Sequence, residues 1–292
     1  MLRLAVRVSR AEAELALAEL IELMPDGVEE VDIDTDTVEY AVYGAVGELP
    51  QLPALRAAVG GALVDIITTE VADDWADRWR EFHKPLVLGT RLSVRPPWEP
   101  LQGTELELVI DPGRAFGTGA HATTRLCLEL LLDLDVDLKR RPSGRNLQIS
   151  QPAVIDLGCG SGVLAIAAAQ LGWSPVWALD YDQLCIDATR ENAEVNGVEL
   201  AVIDRFDLRE DELPPAGASL VLANLLGPLL LTLAQRISAR SPKYLPRWII
   251  ASGLLSTEAD AISQAFAYGY DEQRRIERGE WAALLLTRRE PR

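Results

Sequence analysis

Residues 153–166 read AVIDLGCGSGVLAI, and the order of residue types in that stretch sets the fold class. Ala153–Leu157 is a near-continuous apolar run of strand length, the pattern of a strand covered on both faces of a parallel sheet. Gly158, Gly160 and Gly162 follow at alternate positions, and an apolar helix-forming run begins at Val163. Glycines in such a turn let the backbone bend sharply and let a ligand approach where a Cβ would stand. The helix start beyond offers backbone N–H groups and the positive end of a dipole to an anionic group. A dinucleotide fingerprint would read G-x-G-x-x-G, with its third glycine one position later; here the pattern is D-x-G-x-G-x-G. The next strand, Val176–Asp180, ends on an acid 24 residues after Asp156, where a carboxylate accepts hydrogen bonds from two ribose hydroxyls. Tyr181 beside it offers a ring on which a base can stack. Strand, glycine turn, helix, strand and terminal acid together point to a cofactor that contains adenosine.

Working outward, helices are expected over Val163–Leu171 and Leu184–Asn196, the second closed by Gly197. Strands are expected at Leu220–Asn224, Trp248–Ala251 and Trp281–Thr287. Strands alternating with helices predict an α/β domain with a doubly wound, Rossmann-like sheet and right-handed crossovers. The stretch 137–152, DLKRRPSGRNLQISQP, is polar and broken by two prolines and a glycine, which suits a surface insertion.

The N-terminal part follows another plan. Leu2, Leu4, Val6 and Val8 alternate with Arg3 and Arg7, so Leu2–Val8 reads as a half-buried strand. A helix carrying Leu15, Leu17, Leu20, Ile21 and Leu23 follows Ser9, then strands at Glu29–Asp34 and Thr37–Tyr43, a helix at Pro53–Leu63 and a strand at Val64–Val71. That β-α-β-β-α-β order predicts a small α+β, ferredoxin-like domain over residues 1–68, read as a recognition module. Trp75, Trp79 and Phe82 then recur at i, i+4 and i+7, an aromatic stripe on a linker helix. Residues 69–95 are therefore expected to connect the first domain to a larger one over 96–292.

Composition bounds the function. The chain has 292 residues, 48% hydrophobic and 25% charged, enough for a packed core and inconsistent with wholesale disorder. Its 28 basic and 45 acidic residues leave −17, the opposite of the basic footprint that sequence-general nucleic-acid binding needs. Residues 1–81 hold 18 acidic and 6 basic side chains, so −12 of the total sits there, for solubility or for steering a basic partner. No apolar run approaches the roughly 18–20 residues of a membrane span, and MLRLAVRVSR lacks a signal-peptide core. Three scattered cysteines and two histidines form no disulfide framework and no metal-site spacing. A cytoplasmic chain without membrane, metal or nucleic-acid contact is expected.

Two further motifs narrow the chemistry. Residues 111–124, DPGRAFGTGAHATT, set three glycines and an aromatic beside paired threonines, of which Thr123 or Thr124 can cap the helix that follows. Residues 223–229, ANLLGPL, put Asn224 at the end of a core strand. The glycine loop with its terminal acid resembles the class I S-adenosylmethionine-dependent methyltransferases. The DPG-AFGTG-H-TT run, together with WADRWREFHKP, ATRENAEVNGV and the late SGLL, resembles the ribosomal protein L11 methyltransferase family over nearly the whole chain.

That resemblance implies S-adenosyl-L-methionine as cofactor and amino groups of ribosomal protein L11 as substrate, both the α-amine and lysine ε-amines. It implies that Gly158 and Gly160 hold the methionine end, that Asp156 supports the loop and the cofactor's ammonium, and that Asp180 holds the ribose. Thr124 and Asn224 match cofactor-contact positions, and Phe116, Gly117 and Thr118 match the loop over the active site. Asn224 is also the expected catalytic residue, because an amide oxygen can accept hydrogens from an incoming amine and aim its lone pair. The chain is expected to work as a monomer. The rival readings are a methyltransferase of another protein, RNA or small-molecule amine, and a non-enzymatic module that binds the same cofactor.

Overall fold

Trp248, Ile249, Ile250 and Ala251 are successive residues of one strand and all are buried, which requires a sheet covered on both faces. The computed structural model describes residues 2–10, 13, 29–44, 63–70, 84–112, 121–140, 153–214, 218–241 and 245–289. The chain divides into two units, Met1–Phe82 and His83–Arg292.

In the first unit, β1 (Leu2–Ser9), β2 (Glu29–Asp32), β3 (Thr37–Gly44) and β4 (Leu63–Glu70) form a four-stranded sheet in the order β2-β3-β1-β4. Every neighbouring pair is antiparallel. Leu4, Val6 and Val8 of β1 are buried on one face with Val38 and Tyr40 of β3, as the period-2 alternation requires. On the opposite face Glu39, 4% exposed, takes charge-assisted bonds of 2.7 Å from both Arg3 and Arg7. Those two bonds outweigh the cost of burial and hold the Glu39 carboxyl below the usual carboxylate range. Both helices expected in this unit lie largely outside the described residues, as does the aromatic stripe at Trp75, Trp79 and Phe82.

The second unit opens with β5 (Leu86–Leu88), β6 (Leu92–Arg95) and β7 (Leu106–Val109), a small sheet in chain order, antiparallel then parallel. The sequence reading placed 69–95 in a connection; instead Leu86, Leu88, Leu92 and Val94 are buried in this unit's core, and the division falls at residue 82. Then come α1 (Ala122–Arg140), β8 (Ala153–Leu157), α2 (Val163–Gln170), β9 (Val176–Asp180), α3 (Gln183–Val195), β10 (Val202–Arg205), β11 (Ala218–Asn224), α4 (Gly227–Ser238), β12 (Trp248–Leu255), α5 (Ala259–Phe266), β13 (Tyr270–Arg278) and β14 (Trp281–Arg288). Of the stretch 137–152 expected as a surface insertion, residues 137–140 instead finish α1, and 141–152 lie outside the described residues.

The seven-stranded sheet runs β10-β9-β8-β11-β12-β14-β13. β8 to β12 are mutually parallel, and β14 is antiparallel to both neighbours. Alternate side chains feed two cores: Trp248, Ile250, Ala283 and Leu285 join Leu126, Leu130 and Ile166 on one face, and Ile249, Ala251, Leu284 and Leu286 join Leu230, Leu233 and Phe266 on the other. Each fully buried leucine or isoleucine contributes about 1.5–3 kcal/mol to that packing. At the edge, β13 is polar, and Arg274, Arg275 and Arg278 are held by ion pairs: Arg274 to Asp133 and Asp137, Arg275 to Asp260 and Glu272, Arg278 to Glu129. A charged edge strand resists pairing with another chain.

Candidate functional site

Strand order reverses beside β8, which is flanked by β9 on one side and β11 on the other. The carboxyl ends of strands at such a switch point border the crevice in which open α/β sheets bind ligands. The glycine turn lies there. Gly158, Gly160 and Gly162 all have positive φ (73°, 54° and 80°), a region closed to most side-chain-bearing residues. The N–H groups of Gly158 and Cys159 both donate to the Leu179 carbonyl, at 2.8 and 3.1 Å, tying the turn to β9. A Cβ on Gly158 would stand 2.5 Å from Leu225 Cδ2, and one on Gly162 would stand 2.8 Å from Thr189 Cγ2.

Two acids frame the turn. Asp156, fully buried on β8, accepts from the Ala165 N–H of α2 through Oδ2 at 3.0 Å. Its Oδ1 has no hydrogen-bond partner among the described residues. Burial pushes the Asp156 carboxyl up to about 7 against the pull of the Ala165 N–H, and the neighbouring charge of Asp180 adds to the rise. Asp180, 6% exposed at the end of β9, accepts from Gly160 N–H at 2.9 Å and from Asp182 N–H at 3.1 Å. Burial raises its carboxyl above the ordinary value despite those two bonds. Each of its oxygens still carries a lone pair, so the carboxylate has room for two donors. Tyr181, next in the chain, is 61% exposed.

The third element is the end of β11. Asn224 donates from Nδ2 to the Thr124 hydroxyl in the first turn of α1, at 3.4 Å, while its solvent-shielded Oδ1 has no partner among the described residues. Behind it, Leu225 N–H donates to the Ser252 carbonyl at 2.9 Å. Gly253 (φ 84°) lies so close that a Cβ there would stand 2.5 Å from the Leu225 carbonyl oxygen. Ser252 Oγ has two acceptors in reach, the carbonyl oxygens of Thr123 at 3.3 Å and Ala282 at 3.1 Å, so the late SGLL stretch braces both Asn224 and α1. The cap of α1 differs from expectation. The helix already begins at Ala122, and His121 Nδ1 accepts from the Thr123 N–H at 3.3 Å and faces its hydroxyl at 2.8 Å. Burial lowers the His121 imidazolium's stability, which keeps the ring neutral and Nδ1 available as an acceptor.

These groups suit a ligand bearing an ammonium or amine and a diol. Two shielded acceptors, Asp156 Oδ1 and Asn224 Oδ1, lack partners among the described residues, and buried acceptors without donors are costly unless something completes them. The family model described as ribosomal protein L11 methyltransferase (PrmA) matches residues 4–289. The chain belongs to that family. A family relative from Thermoanaerobacter pseudethanolicus is 32% identical over 226 residues, 76% of this chain and 67% of the relative. One from Shewanella amazonensis is 35% identical over 269 residues, 89% of this chain and 84% of the relative. Both carry the name ribosomal protein L11 methyltransferase. The crystal structure of a ribosomal protein L11 methylase from Lactobacillus delbrueckii subsp. bulgaricus is 28% identical, with TM-score 0.56 over 70% of this chain and 99% of that one.

Of the positions that the family resemblance singles out, Thr124, Asp156, Gly158, Gly160, Asp180 and Asn224 converge on this crevice through the contacts above. Phe116, Gly117 and Thr118 lie outside the described residues. The sequence reading passed over Thr189, whose hydroxyl donates to the Gly160 carbonyl at 2.9 Å, and Asn192, whose Nδ2 donates to the Ser161 carbonyl at 2.9 Å. Both lie in the ATRENAEVNGV run that carries part of the family resemblance, which gives neither of them a role.

Proposed function

We propose that this chain transfers methyl groups from S-adenosyl-L-methionine to amino groups of ribosomal protein L11, the α-amine and lysine ε-amines. Family membership across residues 4–289 supports the reaction class, and the observation that carries its chemistry is the shielded Asn224 Oδ1 at the end of β11, unpartnered among the described residues. S-adenosylmethionine supplies the methyl group on a sulfonium that is already a good leaving group. The chain's task is therefore to hold a neutral amine in line. Asn224 Oδ1 accepts a hydrogen from the amine and aims its lone pair, and Thr124 holds the amide in that orientation. The amine loses its proton to water before docking, and the desolvated crevice disfavours the ammonium form.

In this reading Gly158, Gly160 and Asp156 hold the methionine end, Asp180 the ribose, and Phe116, Gly117 and Thr118 close over the site. The first unit is a ferredoxin-like domain, supported by its β2-β3-β1-β4 antiparallel order, and it recognises the protein substrate. The enzyme acts as a cytoplasmic monomer without direct nucleic-acid contact; among the described residues no helix is long and apolar enough to cross a membrane. Mass spectrometry of purified L11 after incubation with enzyme and cofactor tests the proposal. Increments of about 14 Da per methyl on the α-amine or lysines are expected. Cofactor binding without any increment would discard L11 as the substrate.

A further inference from the structure

The outer edge of β7 is closed by side chains of a helix. On one side β7 pairs with β6, and Ile110 N–H donates to the Arg95 carbonyl at 2.9 Å. The N–H groups of Val109 and Asp111 alternate with it and point the other way, where an open edge would leave them without a strand partner. Asn196 answers Val109 on both counts, accepting from its N–H at 2.9 Å and donating to its carbonyl at 2.7 Å. Asn192, one turn earlier on α3 and 3% exposed, accepts from Asp111 N–H at 3.0 Å. With the other end of the same amide it donates to the Ser161 carbonyl of the glycine turn.

We propose that Asn192 is a positioning residue of the cofactor site: one planar amide locks the glycine turn and the end of β7, where the DPG motif begins, into a single arrangement. The inference rests on the reading of this crevice as the S-adenosylmethionine site. Its amide meets both demands at once, because the turn presents an acceptor and Asp111 a donor. Thr189 one turn back binds the adjoining Gly160 carbonyl, so α3 grips two successive peptide groups of the turn. Asn196, in contrast, touches β7 and its own helix but not the turn. Docking of helix on strand and ordering of the turn are thus assigned to different residues.

The test is calorimetric titration of S-adenosylhomocysteine into the full chain, as wild type, Asn192→Asp and Asn196→Ala, with amide hydrogen exchange followed at Asp111. Asn192→Asp keeps the acceptor for Asp111 and loses the donor to Ser161. It should weaken binding on the order of tenfold and raise the KM for cofactor, with the KM for the protein substrate unchanged. Asn196→Ala should stay within about twofold of wild type in affinity while losing thermal stability. A folded Asn192→Asp chain with wild-type affinity would overturn the proposal, and so would equal weakening by both variants, which is what a purely structural role gives. Should Asn192→Asp fail to fold, the wild-type chain decides: saturation with S-adenosylhomocysteine should slow exchange at Asp111, and unchanged exchange counts against the coupling. A wild-type chain that does not bind at all would instead overturn the reading of the crevice, and this inference with it.

Discussion

Asn224 and Thr124 stand 100 residues apart in sequence, yet the Asn224 amide nitrogen donates to the Thr124 hydroxyl at 3.4 Å. That bond commits the nitrogen end of the amide to α1 and leaves the oxygen end, shielded and unpartnered among the described residues, as the free acceptor. Asn224→Ala should therefore lower kcat on the order of a hundredfold, as expected when a group that orients the reacting atom is lost. Cofactor affinity should change by no more than about threefold, because the glycine turn and Asp180 remain. Thr124→Val removes only the partner that fixes the amide and should cost about tenfold. Single-turnover methylation of L11, paired with cofactor titration, separates the two effects. An Asn224→Ala enzyme with wild-type turnover would take Asn224 out of the chemistry.

Asp156 makes stability depend on pH in an unusual direction. Its carboxyl is pushed by burial from 3.8 to about 7. Between those values the folded chain holds a proton that the unfolded chain has released, so stability falls as pH rises through the window and levels off above it. Asp156→Asn should remove this residue's share of that slope, leaving the share of Asp180, and make the chain more stable than wild type at pH 8, by up to about 4 kcal/mol. Urea unfolding at pH 5 and pH 8 reads it directly. If this carboxylate also serves the cofactor's ammonium, binding near pH 6.5 should release protons in wild type and not in the variant. Stability that climbs between pH 5 and 7 would contradict the assignment.

What the chain announces and what it conceals follow one physical line. The turn at Gly158, Gly160 and Gly162 and the acid at Asp180 are legible because positive-φ glycines and a buried parallel strand leave few other sequences possible. β13, with the sequence YDEQRRIER, was invisible as a strand because its charges are matched by Asp133, Asp137, Glu129 and Asp260 from elsewhere in the chain. β5 and β6 are too short for a periodic signal, at three and four residues. The cap of α1 went to His121 rather than a threonine because the ring nitrogen reaches the Thr123 N–H, a choice of local geometry that residue preference does not foresee. Asn192 shows the limit best. A polar residue on a helix is read as solvated until the fold brings two backbone groups to it.

Glycine substitutions should divide by what the new methyl group meets. Gly253 and Gly158 both have positive φ, 84° and 73°, and either alanine strains the backbone by about 1–2 kcal/mol. A Cβ at 158 meets the tip of the Leu225 side chain at 2.5 Å, which can rotate away. A Cβ at 253 meets the backbone carbonyl oxygen of Leu225 at the same 2.5 Å, and Leu225 is anchored there by the bond from its own N–H to the Ser252 carbonyl. Gly253→Ala should therefore cost at least about 3 kcal/mol and displace Asn224, lowering turnover as well as melting temperature. Gly158→Ala should retain most of its stability and lose cofactor affinity instead. Thermal melts and cofactor titration on the two variants decide the order, and equal melting temperatures would refute it.

The net charge of −17 gives the enzyme a kinetic signature if its substrate is a basic protein. Attraction between unlike surfaces acts on encounter and is screened over about 8–10 Å at physiological salt, whereas the in-line presentation of an amine in the crevice is not. Raising salt from about 50 to 300 mM should raise the KM for L11 severalfold and leave kcat within about twofold. The charge concerned is concentrated in residues 1–81, where 18 acids face 6 basic residues. Asp36 and Asp65 are exposed there, and Asp36→Lys with Asp65→Lys should raise the KM at low salt and flatten its salt dependence without touching cofactor affinity. A short L11-derived peptide with no net charge should show neither effect. A KM for intact L11 that ignores both salt and the double substitution would leave the acidic first unit a role in solubility alone.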